Sequence, residues 1–314
     1  MIIITGCAGF IGSHLSEFLL KKKYTVIGVD NINDYYDIEL KKDNLKILET
    51  YSNFKFLKED VITSKCVEEY KPDIVIHLAS YAGVRYSIEN PSLYASNNII
   101  SHINLLEQSV KSGVKKFIYA SSSSVYGTNK KIPFSEDDLV NDQSSPYAVS
   151  KICMEKYSDL YNKMYKIPII GLRFFTVYGP RGRVDMAPHK FLSAIYNGNE
   201  FKKYGDGTTQ RDYTYIDDIV KGIYGAVNYN CSTHELYNLG NSNTISLNNF
   251  INICEKICNK TAKFKEIGMQ MGDVPITFAD ISKAQRDLNY NPGTNIKDGL
   301  LNTFNWLKNN NKFS

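Results

Sequence analysis

The segment IIITGCAGFIGSHL, residues 2–15, runs from apolar residues through Gly6, Gly9 and Gly12 into a stretch of helical periodicity. A strand that passes through a tight turn into a helix is built to lie in a parallel sheet, with the helix covering one face. The segments that follow repeat the pattern. YTVIGVD, FKFLKED, DIVIHLA, KFIYASS and IPIIGLRFF read as strands rich in Ile, Val and aromatic residues. Between them lie TSKCVEEYK, SLYASNNIISHINLLEQSVKSG and residues 146–166, each with apolar residues at helical spacing. The expected class is α/β, a doubly wound parallel sheet. After Phe175 the alternation loosens into short strands, turns such as GDGTT and two late helices near 246–259 and 296–309. We therefore expect one domain over 1–175, rejoined by part of 211–240, and a smaller one over 176–314.

The glycine turn has a chemical reading. Backbone N–H groups of such a turn approach a pyrophosphate closely, and the helix N-terminus favours its charge. The second strand ends in Asp30, eighteen residues beyond Gly12. An acid there accepts bonds from adenosine ribose hydroxyls and repels a 2′-phosphate. The first half is thus expected to be a Rossmann-type domain that binds NAD rather than NADP. His14, just past the loop, is expected to be packed.

Composition narrows the remaining classes. A net charge of +4 over 314 residues, with no lysine- or arginine-rich tract, does not suggest nucleic acid or an anionic membrane surface as partner. No apolar run reaches the ~18 residues of a membrane span. The opening MIIITG has no basic leader, and the six cysteines are scattered, both of which fit a reduced, cytoplasmic setting. Cys254 and Cys258 sit one helical turn apart without a second ligand pair nearby, so they are expected to face the core and no metal site is expected.

SPYAVSK, residues 145–151, places Lys151 four residues after Tyr147, on one face of a helix. TGCAGFIGS together with HLAS at 77–80, FIYASSSSVYG at 117–127, PYAVSK at 146–151 and RDYTYIDDIV at 211–220 resembles the extended short-chain dehydrogenase/reductases over nearly the whole chain. That resemblance implies a catalytic set of Ser122, Tyr147 and Lys151. A phenol near pKa ~10 is a poor base, and a neighbouring ammonium with the nicotinamide ring is expected to lower it. The resemblance further implies cofactor contacts from Phe10 and Ile11, from Asn31 and Asn33, from Asp60 and Val61, from Leu78, Ala79 and Ser80, and from Asn98 and Phe175. It also implies a homodimer paired through the helices near 97–112 and 146–166.

Family members that act on sugar nucleotides are epimerases, 4,6-dehydratases or decarboxylases. Dehydratases carry an Asp-Glu pair just after the catalytic hydroxyl residue, and decarboxylases usually a Glu. Here those positions are Ser123 and Ser124, which favours an epimerase. AGVRYSIENP at 82–91, RFFTVYGPRGRVDMA at 173–187 and MQMGDVPITFAD at 269–280 resemble the UDP-glucuronate 4-epimerases. This implies that hydroxyls of Ser123, Ser124 and Thr176 cradle the sugar carboxylate. Arg85, Arg183 and Arg211 are expected to meet the diphosphate or the acid, and Gln270 and Asp273 the uridine side. Tyr81 departs from the pattern, standing where many relatives have Gln. The alternatives are an epimerase of UDP-glucose or UDP-N-acetylglucosamine, and an idle NAD-binding regulator on the same fold. The presence of Ser122, Tyr147 and Lys151 speaks against the regulator.

Overall fold

The computed structural model describes residues 1–268 and 274–313. Its strands are β1 Ile2–Thr5, β2 Val26–Val29, β3 Phe54–Leu57, β4 Ile74–His77, β5 Lys116–Ser122 and β6 Ile169–Phe174. There follow β7 Thr176–Tyr178, β8 Glu200–Tyr204, β9 Gln210–Tyr215, β10 His234–Leu239, β11 Thr244–Ser246 and β12 Lys263–Ile267. Seven of them form one sheet in the order β10-β6-β5-β4-β1-β2-β3, every neighbouring pair parallel. This is the expected α/β class.

The alternation of side chains along these strands builds two cores. Ile2, Ile4, Ile76 and Ile118 point to one face, where Leu15 and Leu19 of helix Phe10–Lys21 and Ile219 and Ile223 of helix Ile216–Asn228 cover them. Ile3, Val75, Phe117 and Tyr119 point to the other, beneath Leu105 and Leu106 of helix Ser101–Lys111 and Met154 of helix Pro146–Tyr165. Strand order reverses between β1 and β4, so the connections leaving their C-terminal ends diverge and open a crevice.

Beyond β6 the chain forms a three-stranded sheet, β11-β9-β7, and a pair, β12-β8. Helices Ala187–Asn197, Leu247–Cys258 and Ile296–Asn309 pack there. Cys254 and Cys258 are both buried. Among the described residues no helix is long and apolar enough to cross a membrane.

Among the described residues, five α-helices have no counterpart in the sequence reading: Ile38–Leu48, Val84–Glu89, Ala187–Asn197, Ile216–Asn228 and Ser282–Leu288. Ile38–Leu48 buries Lys41 and Asn44 beside its leucines, which blurs the apolar stripe. Ile216–Asn228 leaves β9 with no intervening turn residue, and Ala187–Asn197 has no side-chain cap.

Candidate active site

A cavity of about 980 Å3 follows the C-terminal ends of the large sheet from Asp30 past Tyr147 to Arg211. At one end Gly6 adopts φ +71°, a conformation suited to glycine. A Cβ on Gly12 would stand 2.0 Å from the Gly6 carbonyl oxygen, and one on Gly6 2.8 Å from the amide nitrogen of Ala79. The turn is therefore closed to side chains and lies against the end of β4. Gly9 is the N-cap of helix Phe10–Lys21 and offers no side chain to its amides, which open toward the cavity with Phe10 and Ile11.

Asp30 is buried, its Oδ1 accepting from the Ile32 amide at 2.9 Å and its Oδ2 from the Ala8 amide at 3.2 Å. Burial pushes its carboxyl above the usual range, opposed by these amides and by Lys41. Beside it, Asn31 Nδ2 donates to Asp60 Oδ2 at 3.0 Å, and the Asn33 amide to Asn31 Oδ1 at 3.1 Å. Val61, Leu78, Ala79 and Ser80 complete this wall. An amide-lined turn with no room for a Cβ, followed by an acid at the adjacent strand end, fits a dinucleotide with an unphosphorylated ribose. Lys41 is the cation that offsets burial at Asp30, and its Nζ donates to the Asn33 carbonyl at 2.8 Å and to Asn33 Oδ1 at 2.7 Å.

Asn98 does not line the cavity. It is fully buried one layer behind, where its Oδ1 accepts from the Tyr81 amide at 2.8 Å and its Nδ2 donates to the Tyr81 carbonyl at 3.0 Å and to Ser150 Oγ at 3.0 Å. From the π-helical turn Ala95–Ile100 it supports a loop of the site.

Ser122 ends β5, and Tyr147 lies in the first turn of helix Pro146–Tyr165, capped by Ser145 through the Ala148 amide at 3.2 Å. The Ser122 hydroxyl lies near enough to the Tyr147 phenol to lower its pKa. Ser122 Oγ also accepts from Ser124 Oγ at 3.0 Å and from the Ser124 amide at 3.2 Å. Lys151 is buried, its Nζ 5.8 Å from the Tyr147 ring centre and donating to the Ala120 carbonyl at 2.8 Å. Burial lowers its pKa to about 7, opposed by the Glu155 carboxylate.

The fall expected for the Tyr147 phenol rested on Lys151 together with the nicotinamide ring, and the protein's own groups do not supply it. Burial pushes the phenol up, and the Ser122 hydroxyl and the Arg183 charge offset only part of that. The Lys151 Nζ is hydrogen-bonded to the Ala120 carbonyl near the end of β5.

Ser123, Ser124, Phe175 and Thr176 also border the cavity, Thr176 through β7. Arg183 stacks over Tyr35, with its guanidinium carbon 5.0 Å from the ring centre, and is bound twice by Asp185 at 2.9 and 2.6 Å. Arg85 lies 4.6 Å over the ring of Tyr204 in β8, and Arg211 donates to the Gln210 carbonyl at 2.8 Å. Gln270 and Asp273 lie outside the described residues.

Tyr35, Tyr36, Lys41 and Tyr204 are lining residues that sequence reasoning missed. Two adjacent tyrosines in NDYYD, shortly after the ribose acid, were the available signal. His14 is packed, its Nδ1 2.9 Å from the Phe10 carbonyl and its Nε2 accepting from Arg181 at 3.3 Å.

The sequence matches, over residues 3–303, the family described as GDP-mannose 4,6 dehydratase. The chain belongs to this family of NAD-dependent epimerases and dehydratases, the extended short-chain dehydrogenase/reductases. It is 44% identical to the UDP-glucuronate 4-epimerase of Thermodesulfobacterium geofontis, over 98% of this chain and 96% of that one. The UDP-glucuronic acid 4-epimerase of Bacillus cereus, solved with UDP-glucuronic acid and NAD, superposes with a TM-score of 0.93 at 39% identity, covering 98% and 99% of the two chains. The UDP-glucose 4-epimerase of Thermotoga maritima, solved with UDP-glucose, gives 0.90 at 31% identity over 98% and 99%. The family description names a dehydratase, whereas these relatives are epimerases.

Proposed function

We propose that this NAD-dependent UDP-sugar 4-epimerase interconverts UDP-glucuronate and UDP-galacturonate. One observation carries the choice. Around Ser122 and Tyr147 the described wall bears the hydroxyls of Ser123, Ser124 and Thr176 and no carboxylate. Among the described residues, the carboxylates of the cavity are Asp30, Glu59 and Asp60 at its cofactor end, and Asp185, held by Arg183. A 4,6-elimination needs an acid and a base beside the sugar ring, which this wall does not offer. A sugar carboxylate placed there meets hydroxyl donors and the Arg183 charge.

The glycine turn and Asp30 hold the cofactor by its pyrophosphate and ribose. When bound, NAD would supply the acceptor, and then the donor, of the hydride exchanged with C4 of the sugar. Tyr147 removes the proton of the C4 hydroxyl through its phenol oxygen and later gives it back, while Ser122 fixes the orientation of that oxygen. With NAD bound, the nicotinamide charge would favour the phenolate, and Lys151 would hold the nicotinamide ribose. The 4-keto sugar turns over before the hydride returns, so both C4 epimers form. A β-keto acid loses CO2 most easily when its carboxylate aligns with the carbonyl π system, and a hydroxyl cradle that fixes another orientation opposes this.

Incubation with UDP-glucuronate, UDP-glucose and UDP-N-acetylglucosamine, followed by separation of the products, tests the reading. UDP-galacturonate should form without added NAD and with little UDP-pentose. Faster turnover of either neutral sugar would replace the proposed substrate.

The proposed assembly is a homodimer. Val149, Leu160 and Met164 of helix Pro146–Tyr165, and Ile100 before helix Ser101–Lys111, are apolar and 47–57% exposed on neighbouring helices. Leu160→Glu should yield monomers in light scattering. A cytoplasmic setting fits the six unpaired thiols.

A further inference from the structure

One turn beyond Lys151, on the same helix, lies Glu155, 5% exposed and outside the cavity lining. The reaction above does not use it. Its Oε1 accepts from Ser121 Oγ at 2.6 Å and from Arg173 Nε at 2.9 Å, and its Oε2 from Arg173 Nη2 at 2.8 Å. Arg173, 2% exposed, donates its other terminal nitrogen to the Tyr126 hydroxyl at 3.0 Å, and Tyr126 donates to Asn238 Oδ1 at 2.6 Å. The cluster ties helix Pro146–Tyr165 to β5, β6 and β10 directly behind Ser122. A buried ion pair rarely stabilises a fold more than apolar residues of the same volume do, so stability alone does not account for it.

The charges around Lys151 are few. His77 on β4 and His102 on helix Ser101–Lys111 face it, and burial keeps both neutral. Tyr119 on β5 and His234 on β10 face Glu155 and are also held uncharged by burial. Asp159, a further turn along, is paired with Lys163 at 2.6 Å. Tyr147, its ring centre 5.8 Å from the Lys151 Nζ, is held uncharged by burial. Glu155 and Arg173 remain, and Glu155, one helical turn from Lys151 and bonded to Ser121 beside the Ala120 carbonyl that Lys151 meets, opposes the fall that burial imposes on the Lys151 ammonium.

We propose that Glu155 is a positioning residue of the epimerase reaction: clamped by Arg173 and Ser121, its carboxylate is the counter-charge of the Lys151 ammonium and fixes the strand end that carries Ser122. This rests on the roles assigned above to Ser122, Tyr147 and Lys151. Glu155→Gln keeps the size and one Arg173 contact but removes the charge, so Lys151 should release its proton at lower pH.

The test is the pH dependence of kcat and KM for Glu155→Gln, Glu155→Asp and the double variant Glu155→Gln/Arg173→Met, on the UDP-sugar that the parent turns over best. The alkaline limb of kcat should move toward lower pH, giving a loss at about pH 8.5 that exceeds the loss at about pH 6.5 by roughly threefold, with KM unchanged. Glu155→Asp should recover most of the parental limb. If the single variant does not fold, the double variant must show a smaller displacement in the same direction, because the repelling Arg173 charge is removed together with the Glu155 carboxylate. A loss equal at all pH values, an unmoved limb, or failure of both variants to fold would overturn the proposal in favour of a structural role. Tyr147→Phe is measured alongside: if it retains activity, the catalytic assignment itself has failed, whatever Glu155 does.

Discussion

Asn33 donates through Nδ2 to the Tyr81 hydroxyl at 3.3 Å, joining the loop after β2 to the loop after β4 across the cofactor end of the cavity. The Tyr81 ring meets Tyr35 edge-on at 4.7 Å between ring centres, and Tyr35 donates to the Ala82 carbonyl. An epimerase must keep its reduced cofactor until the hydride has returned. Tyr81→Phe should therefore release NAD faster. Loss of one neutral hydrogen bond, about 0.5–1.5 kcal/mol, corresponds to roughly two- to tenfold. Stopped-flow displacement by labelled NAD measures this, and an unchanged rate would free Tyr81 from the role.

Gly12→Ala should abolish cofactor retention, because its Cβ would stand 2.0 Å from the Gly6 oxygen and the turn cannot give way without leaving β4. Denaturing the purified parent should release NAD or NADH, and the variant neither. Recovery of NADP from the parent would refute the assignment of Asp30.

Tyr147→Phe should fold and retain NAD while losing about 10²–10⁴ in kcat, the range of general acid–base catalysis. Turnover within a fewfold of the parent would exclude the phenol oxygen as the proton carrier. Thr176→Val probes the carboxylate instead. A hydrogen bond to a charged group, about 1.5–3 kcal/mol, predicts a ten- to hundredfold loss on UDP-glucuronate and a smaller one on UDP-glucose. Equal losses on both sugars would take Thr176 out of the cradle.

Buried histidines set an acid limit on stability. Burial lowers the pKa of His14 and His77 to about 3 and that of His234 to about 4, and holds His102 and His189 below the ordinary value. The unfolded chain takes up protons near pH 6.5 that the folded chain refuses. Stability is therefore full above that pH and falls as the pH drops from there toward about 3. Each such group adds a slope of about 1.4 kcal/mol per pH unit at most. Urea unfolding at several pH values should show it, and His102→Leu should lower the slope by about that amount. An unaltered slope in that variant would place the acid sensitivity elsewhere.

The sequence alone determined the large sheet and its cofactor end. Glycines that admit no Cβ, an acid at the next strand end and apolar runs of strand length are local requirements, so they are written where they act. Tyr147 and Lys151 were legible for the same reason, since one helical turn fixes their face. Helix Ile216–Asn228 was not, because it follows β9 without the turn residues that punctuate a sequence. The direction of the Tyr147 shift was not legible either, because desolvation depends on what the whole chain packs around a group. Only the tertiary structure could set Glu155 against Arg173, eighteen residues away on another element, or turn Asn98 from the cavity onto the Tyr81 backbone. Those contacts join segments that no local pattern relates, and the packing of helix on sheet decides which side chains meet.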